Sequence, residues 1–268
     1  MTNLATKAAD ILGRIRESRP VIHNITNFVV MNTTANVLLA LGAAPIMAHA
    51  IEELDDISGI SNALVINIGT LSKSWVESMT YAARLARIAG KPMILDPVGS
   101  GATKLRTDTA CEIARFSAPT AIRGNASEIL SLASAGGKTR GVDSANTTEE
   151  AMEAAKSLAG KRGNVVAVTG EKDFVTDGTR SLLISGGSPL MTSVTGTGCS
   201  ASVMVAAFLA VEKDALLATA SALALFKVVA ENASVKSQGP GSFWVHVLDE
   251  LYNITPKEFE NSARIDSA

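Results

Sequence analysis

The stretch Ser193-Val194-Thr195-Gly196-Thr197-Gly198-Cys199-Ser200 runs directly into Ala201-Ser202-Val203-Met204-Val205-Ala206-Ala207-Phe208-Leu209-Ala210. A polar turn with two glycines opens onto an apolar helix built mainly of small residues. The first backbone N–H groups of a helix have no partner inside it, and the aligned peptide dipoles add partial positive charge there. That end is suited to an anion, most often a phosphate. Gly196 and Gly198 have no Cβ, so a ligand can approach their backbone closely. Cys199 falls in the first turn, where a thiol tends toward thiolate. The same pattern also fits a plain loop with a good N-cap, and the rest of the chain must decide between the two.

Outward from this turn, apolar strands, polar turns and helices alternate. Val21-Ile22 opens a strand ending in His23-Asn24-Ile25-Thr26-Asn27, followed by a helix over Phe28–Leu41 that Gly42 stops. Ala43–Ala48 reads as a strand. Ala63–Ile68 is an apolar run of the kind buried on both faces. Further helices are expected at Met1–Arg19, around Asp55-Asp56, and over Trp75–Ala89, Thr107–Phe116, Thr147–Leu158, Leu216–Ala233 and Phe243–Leu251. Further strands are expected at Met93–Leu95, Thr120–Ile122 and Asn164–Val168. Asp177-Gly178 marks a hairpin turn, and Ser134–Asn146 reads as a mobile loop. The alternation predicts an α/β fold: a doubly wound, mostly parallel sheet with helices on both faces. With no linker or repeat, residues 1–268 read as a single domain.

In such sheets ligands bind beyond the carboxyl ends of the strands. Asn24, Met47, Gly69, Asp96, Arg123, Thr169 and the Gly196 turn all fall there. Asp96 suits a metal or its bound water, or simply starts an Asp-Pro turn. Asn125 and Glu128 share a helix face, as a site or as a capping box. Arg123 could grip phosphate oxygens in a bidentate fashion or pair with a local acid. Pro45-Ile46-Met47 with Asn24 outlines a small apolar pocket with one polar edge, or ordinary core. His23 and His49 lack metal-ligand spacing, and His246 reads as surface. Neither a Walker loop nor a dinucleotide fingerprint is present.

Composition narrows the classes further. The chain has 268 residues, 47% hydrophobic but only 4% aromatic, so aliphatic side chains must fill the core. Lys and Arg number 24 against 26 acids, which leaves no basic field for nucleic acid. Two cysteines make no disulfide framework and fit a reducing compartment. The N-terminal segment lacks the apolar centre of a signal peptide. No uncharged apolar run approaches about 18 residues, so no membrane span is expected. A soluble, cytoplasmic protein follows from these readings.

Taken in order, Asp96, Asn125-x-x-Glu128 and Gly196-Thr197-Gly198-Cys199 resemble the ribokinase-like superfamily. More closely, His23–Asn27 with Ala35-Asn36, Leu41-Gly42-Ala43 to Met47, Leu95–Gly99 and Thr195–Cys199 resemble the hydroxyethylthiazole kinases, over about Ile11–Leu251. The resemblance implies ATP-dependent phosphorylation of the primary alcohol of 4-methyl-5-(2-hydroxyethyl)thiazole, in thiamine biosynthesis or salvage. It also implies Mg²⁺ and a homotrimer with active sites between subunits. By motif, Met47 and Gly196 would touch the thiazole, Arg123 and Thr169 would contact ATP, and Asp96 and Glu128 would hold Mg²⁺ directly or through water. The Gly196 and Gly198 backbone would stabilise the moving phosphoryl group. Most superfamily members carry an aspartate base where this chain has Cys199, so Cys199 either takes the proton, with its thiol lowered by the helix end, or orients the hydroxyl; modest base assistance is the expected role. The other readings are a hydroxymethylpyrimidine kinase, a nicotinamide-nucleotide hydrate dehydratase, a cysteine-nucleophile acyltransferase and a non-catalytic binding protein.

Overall fold

The computed structural model describes residues 4–134 and 147–268. The expected loop at Ser134–Asn146 lies outside the described residues apart from Ser134, which ends a helix. In chain order the elements are α1 (Leu4–Ser18), β1 (Val21–Ile25), α2 (Met31–Leu41), β2 (Ala44–Met47), α3 (Leu54–Ile60), β3 (Ala63–Asn67), α4 (Lys73–Ile88), β4 (Met93–Asp96), α5 (Lys104–Phe116), β5 (Ala121–Asn125) and α6 (Ala126–Ser134). There follow α7 (Thr147–Arg162), β6 (Val165–Thr169), β7 (Asp173–Thr176), β8 (Ser181–Ile184), α8 (Thr197–Leu209), α9 (Ala215–Lys236), α10 (Pro240–Asn253), α11 (Pro256–Ser262) and β9 (Ile265–Ser267).

Strand side chains alternate between two cores, as the two-residue pleat requires. Ile22, Val65, Ile94, Ala121, Val165 and Ala167 point to one face, where α1, α2, α8, α9 and α10 cover them. Leu64, Ile66, Met93, Leu95, Ile122 and Val166 point to the other, beneath α3 to α7. Both faces are therefore apolar, which is why the strands read as unbroken hydrophobic runs. The sheet order is β2-β1-β3-β4-β5-β6-β7-β8-β9. Pairing is parallel from β2 through β6 and antiparallel from β6 through β9. The chain steps from β1 outward to β2, then returns past β1 to β3, and the sheet's switch point lies there.

The doubly wound, mostly parallel arrangement is as expected, and so is the hairpin at Asp177-Gly178 between β7 and β8. Three differences have clear causes. The second helix begins at Met31 rather than Phe28, because the Asn27 side chain accepts from Val29 N and Thr70 Oγ1 accepts from Phe28 N, holding 28–30 as a turn. The fifth helix begins three residues early because Thr103 caps it, accepting from Arg106 N. At the C-terminus α11 and β9 extend the fold beyond Leu251, with a Thr255–Glu258 capping box starting α11.

α8 is buried at every position from Ser200 to Leu209, between the sheet and the helices α2 and α9. A helix apolar on all sides has no solvent face to offer, and its alanines and serines let both neighbours approach. No uncharged apolar run reaches the length of a membrane span, as expected: Lys227 and Glu231 interrupt α9, the one helix among the described residues that meets a looser test of length and mean hydropathy. Of its qualifying window, 78% is buried inside the fold. Its length and hydropathy come from its place in the core, against α8, α10 and α1.

Because α8 both centres the core and presents its N-terminus at the strand ends, packing behind it should set global stability. Phe208 is fully buried in its last turn. Phe208→Ala should lower the unfolding free energy by about 3–5 kcal/mol, read from a urea denaturation curve at unchanged slope.

Candidate active site

The carboxyl ends of β1 to β6 and the N-terminus of α8 meet at one edge of the sheet. Gly196 caps α8 with φ 89°, a left-handed conformation that disfavours other residues, and no side chain caps this end among the described residues. The first intrahelical bond seen there is Ser200 N to Gly196 O. The N–H groups of Thr197 and Gly198 are therefore left facing a cleft of about 860 Å³ that both residues line. Open N–H groups at a helix start suit an anion, and a glycine N-cap is equally common in ordinary loops.

Arg123 and Thr169 stand on the facing strands, β5 and β6. The Arg123 guanidinium donates to Thr169 Oγ1 from both Nε, at 3.1 Å, and Nη2, at 2.6 Å. It also lies so close to α8 that a Cβ on Gly198 would fall 2.9 Å from its nitrogens. The glycine therefore admits an arginine, where the sequence suggested only a ligand. Two sources of positive charge, the helix end and the guanidinium, converge on the cleft.

Behind Arg123 sits Asp96, the last residue of β4, with no solvent exposure. Its Oδ2 accepts from Asn67 Nδ2 at 2.8 Å and Ser202 Oγ at 2.9 Å, with Arg123 Nη1 at 3.5 Å. Its Oδ1 has no partner among the described residues. Burial pushes the Asp96 carboxyl up to about 6, with Arg123 pulling it down and the Glu128 charge raising it. Glu128 forms the capping box that the spacing suggested: Oε2 accepts from Asn125 N, and Asn125 Oδ1 accepts from Glu128 N, both at 2.9 Å. Oε1 accepts from Gly99 N at 2.9 Å, tying the turn after β4 to α6.

Cys199 departs from the expectation. Its thiol is raised to about 11, first by burial and next by the Asp96 charge; Asn67 hydrogen bonding, Arg123 and Asn27 only partly offset this. The helix end does not deliver a thiolate because the sulfur is mostly desolvated beside a carboxylate. Its Sγ accepts from Asn67 Nδ2 at 3.2 Å and more weakly from Asn27 Nδ2 at 3.7 Å.

Met47 and Asn24 lie on the other side of the α8 tip, on the edge strand β2 and its neighbour β1. Gly196 faces that side, where a Cβ would meet Val30 Cγ1 at 3.0 Å. Neither Met47 nor Asn24 lines the 860 Å³ cleft. Asn24 is 2% exposed, and its amide donates inward to Ile22 O. Its Oδ1 is buried without a partner among the described residues. The α8 tip thus separates a side bearing Arg123 and Thr169 from a side bearing Asn24 and Met47. His23 is a core histidine against Ala48 O, and His49 packs on Trp75.

Four residues of this region escaped the sequence reading. Asn67 ends an otherwise apolar strand as Asp96 does, so the same signal was available. Asn27 lies inside the His23–Asn27 block. Ser202 stands three residues after Cys199 on α8. Lys227 is a cation inside the apolar run of α9.

The nine-stranded, mainly parallel sheet with helices on both faces is a ribokinase-like fold. The fold is similar to that of a ribokinase-like superfamily protein from Enterococcus faecalis, at TM-score 0.65, 14% identity, and 92% and 95% coverage of the two chains. The hydroxyethylthiazole kinase family model matches residues 12–257, and the chain belongs to that family. It is 51% identical to the hydroxyethylthiazole kinase of Desulfotalea psychrophila over 265 residues, covering 99% of this chain and 97% of the relative. It is 55% identical to that of Nitratidesulfovibrio vulgaris strain DP4 over 240 residues, 90% of each. The hydroxyethylthiazole kinase structure from Pyrococcus horikoshii superposes with TM-score 0.91 at 44% identity, covering 98% and 99% of the chains. The family reaction is phosphorylation of the thiazole alcohol in thiamine biosynthesis.

The elevated thiol has a direct readout. In the folded protein, iodoacetamide should label Cys199 slowly at about pH 8, where an ordinary thiol near 8.5 reacts readily, and faster as pH rises toward 11. Rapid labelling at neutral pH, followed by peptide mass spectrometry, would instead indicate a depressed thiol.

Proposed function

We propose that the chain phosphorylates the hydroxyethyl group of 4-methyl-5-(2-hydroxyethyl)thiazole with ATP, the cleft beside Arg123 and Thr169 holding ATP and the side beside Asn24, Met47 and Gly196 holding the alcohol. The observation that carries this assignment is the uncapped α8 N-terminus with Arg123 laid against Gly198 at the cleft. Phosphoryl transfer through a loose transition state asks for placement and charge neutralisation more than covalent chemistry. The Thr197 and Gly198 N–H groups and the Arg123 guanidinium supply donors aimed at the equatorial oxygens of the transferring group. Thr169 holds the guanidinium from behind, so little reorganisation is needed at the moment of reaction.

Asp96 and Glu128 fit Mg²⁺. The unpartnered, buried Asp96 Oδ1 is a free acceptor, and Mg²⁺ characteristically takes one or two carboxylates together with substrate phosphates and waters. Glu128, with each oxygen already accepting one backbone N–H, would reach the ion through water. When bound, the ion would neutralise phosphate charge that the arginine and the helix end only partly meet.

Cys199, protonated at neutral pH, orients the substrate hydroxyl rather than serving as a strong base, while the Asn67 and Asn27 amides hold its sulfur. We read the protein as one domain through 1–268, cytoplasmic, and a homotrimer with active sites between subunits. Two free thiols support the compartment. Phe28 and Val29, 66% and 60% exposed beside the alcohol side, support the assembly.

A coupled assay for ADP release with and without the thiazole alcohol tests the reaction, and turnover independent of the alcohol would reject it. Arg123→Ala should lower kcat/KM about 10²- to 10³-fold, as loss of a transition-state donor does. Cys199→Ala should cost less than about ten-fold in kcat, since little proton transfer is asked of it. Glu128→Gln should raise the Mg²⁺ concentration for half-maximal rate by about 10-fold or more; an unchanged titration would remove Glu128 from the ion.

A further inference from the structure

α9 is apolar or small-residue from Ala215 to Phe226, and Lys227 then interrupts it. The lysine is 4% exposed, yet it lines the same cleft as Arg123. A cation in a cleft assigned to ATP invites the reading that it grips a phosphate. Its hydrogen bonds argue otherwise. Nζ donates to Glu171 O at 2.9 Å, Gly170 O at 3.1 Å and Gly186 O at 3.4 Å, and pairs with Asp173 Oδ1 at 3.4 Å. An ammonium has three N–H donors, and these four acceptors already take them all.

The acceptors come from two separate loops. Gly170 and Glu171 form the turn between β6 and β7, immediately after Thr169. Gly186 begins the crossing from β8 toward α8. There the backbone turns left-handed twice, at Gly186 (φ 115°) and Gly187 (φ 91°), and a Cβ on Gly187 would lie 3.5 Å from Lys227 Cγ. Asp173 Oδ1 also accepts from Gly170 N at 2.9 Å, so the carboxylate braces the turn that the ammonium holds. Both loops line the cleft, together with Leu223, Phe226 and Met191. Leu223, Phe226 and Met191 give this lining an apolar surface on which the nucleoside part of a nucleotide can rest.

We propose that Lys227 is a positioning residue for the nucleoside end of ATP, acting by tying the 170–171 turn to Gly186 and making no contact with phosphate. The proposal rests on the assignment of this cleft to ATP. Its signature is independence from the number of phosphates. If the loops are competent only part of the time, every ligand that uses them loses the same factor in apparent affinity. A phosphate contact would instead cost ADP more than adenosine.

The test compares three proteins by calorimetry with ADP and with adenosine: the wild type, Lys227→Met and the neutral pair Lys227→Met/Asp173→Asn. Lys227→Met leaves the Asp173 carboxylate buried without its cation and should melt lower. The pair removes that charge, keeps an acceptor for Gly170 N and should recover much of the melting temperature. Both variants should bind ADP and adenosine more weakly by the same factor, about ten-fold for a competent fraction near one tenth. A loss confined to ADP, or wild-type affinities in the paired variant, would overturn the proposal. Should Lys227→Met fail to fold, the paired variant alone supplies the measurement. If Arg123→Ala leaves ADP affinity untouched, the assignment of the cleft fails; if Arg123→Ala weakens ADP and the paired variant does not, only the role of Lys227 fails.

Discussion

The contact between the Arg123 guanidinium and the glycine turn of α8 is the constraint on which the site depends. It requires a residue without Cβ at position 198, a strand that delivers an arginine at that height, and an anion to compensate the buried charge. Asp96 is that anion, and its own burial is bearable only because Asn67 and Ser202 donate to it. Thr169 orients the other edge of the guanidinium. Elements as distant in sequence as β3, β4, β5, β6 and α8 are thus locked by one charged group, and the same group bounds the cleft.

The core is arranged to make that contact possible. α8 has no face turned to water, so its position is set by packing on both sides and its tip cannot drift. The sheet's switch point opens the space in front of it. The tip therefore divides the ligand edge into two regions of different chemistry. One is charged and hydrogen-bonding, around Arg123 and Thr169. The other is small and apolar with an amide, around Met47 and Asn24. A kinase must hold a polyanion and a neutral alcohol on opposite sides of a single transfer point, and the proposed placement of the two ligands follows this division.

The buried polar groups share a common logic. Asn67 has its amide filled on all sides: its oxygen accepts from Asn27 and Gly69, and its nitrogen donates to Asp96 and Cys199. Lys227 is similarly occupied by carbonyls and Asp173. Side chains so fully bonded cannot serve a ligand directly; they hold those that do. Among the described residues, spare capacity is left at the N-terminus of α8, which has no side-chain cap, and at the buried Oδ1 of Asp96, and the proposal places phosphate and cation at these groups.

Much of this was legible in the chain itself. Unbroken apolar runs such as Ala63–Ile68 require a strand covered on both faces, and their regular alternation with helices permits little besides a doubly wound sheet. Polar residues that interrupt those runs at their ends, Asp96 and Arg123 above all, mark the carboxyl edge of the sheet, where such folds bind ligands. Tertiary structure alone decided the rest. The helix end promised a depressed Cys199 thiol, but desolvation and Asp96 raise it, and both depend on neighbours far away in sequence. The hydropathy of α9 did not reveal what its lysine holds. Local pattern determines which groups reach an edge; the dielectric around them, and the partners that consume their hydrogen bonds, exist only once the layers have packed.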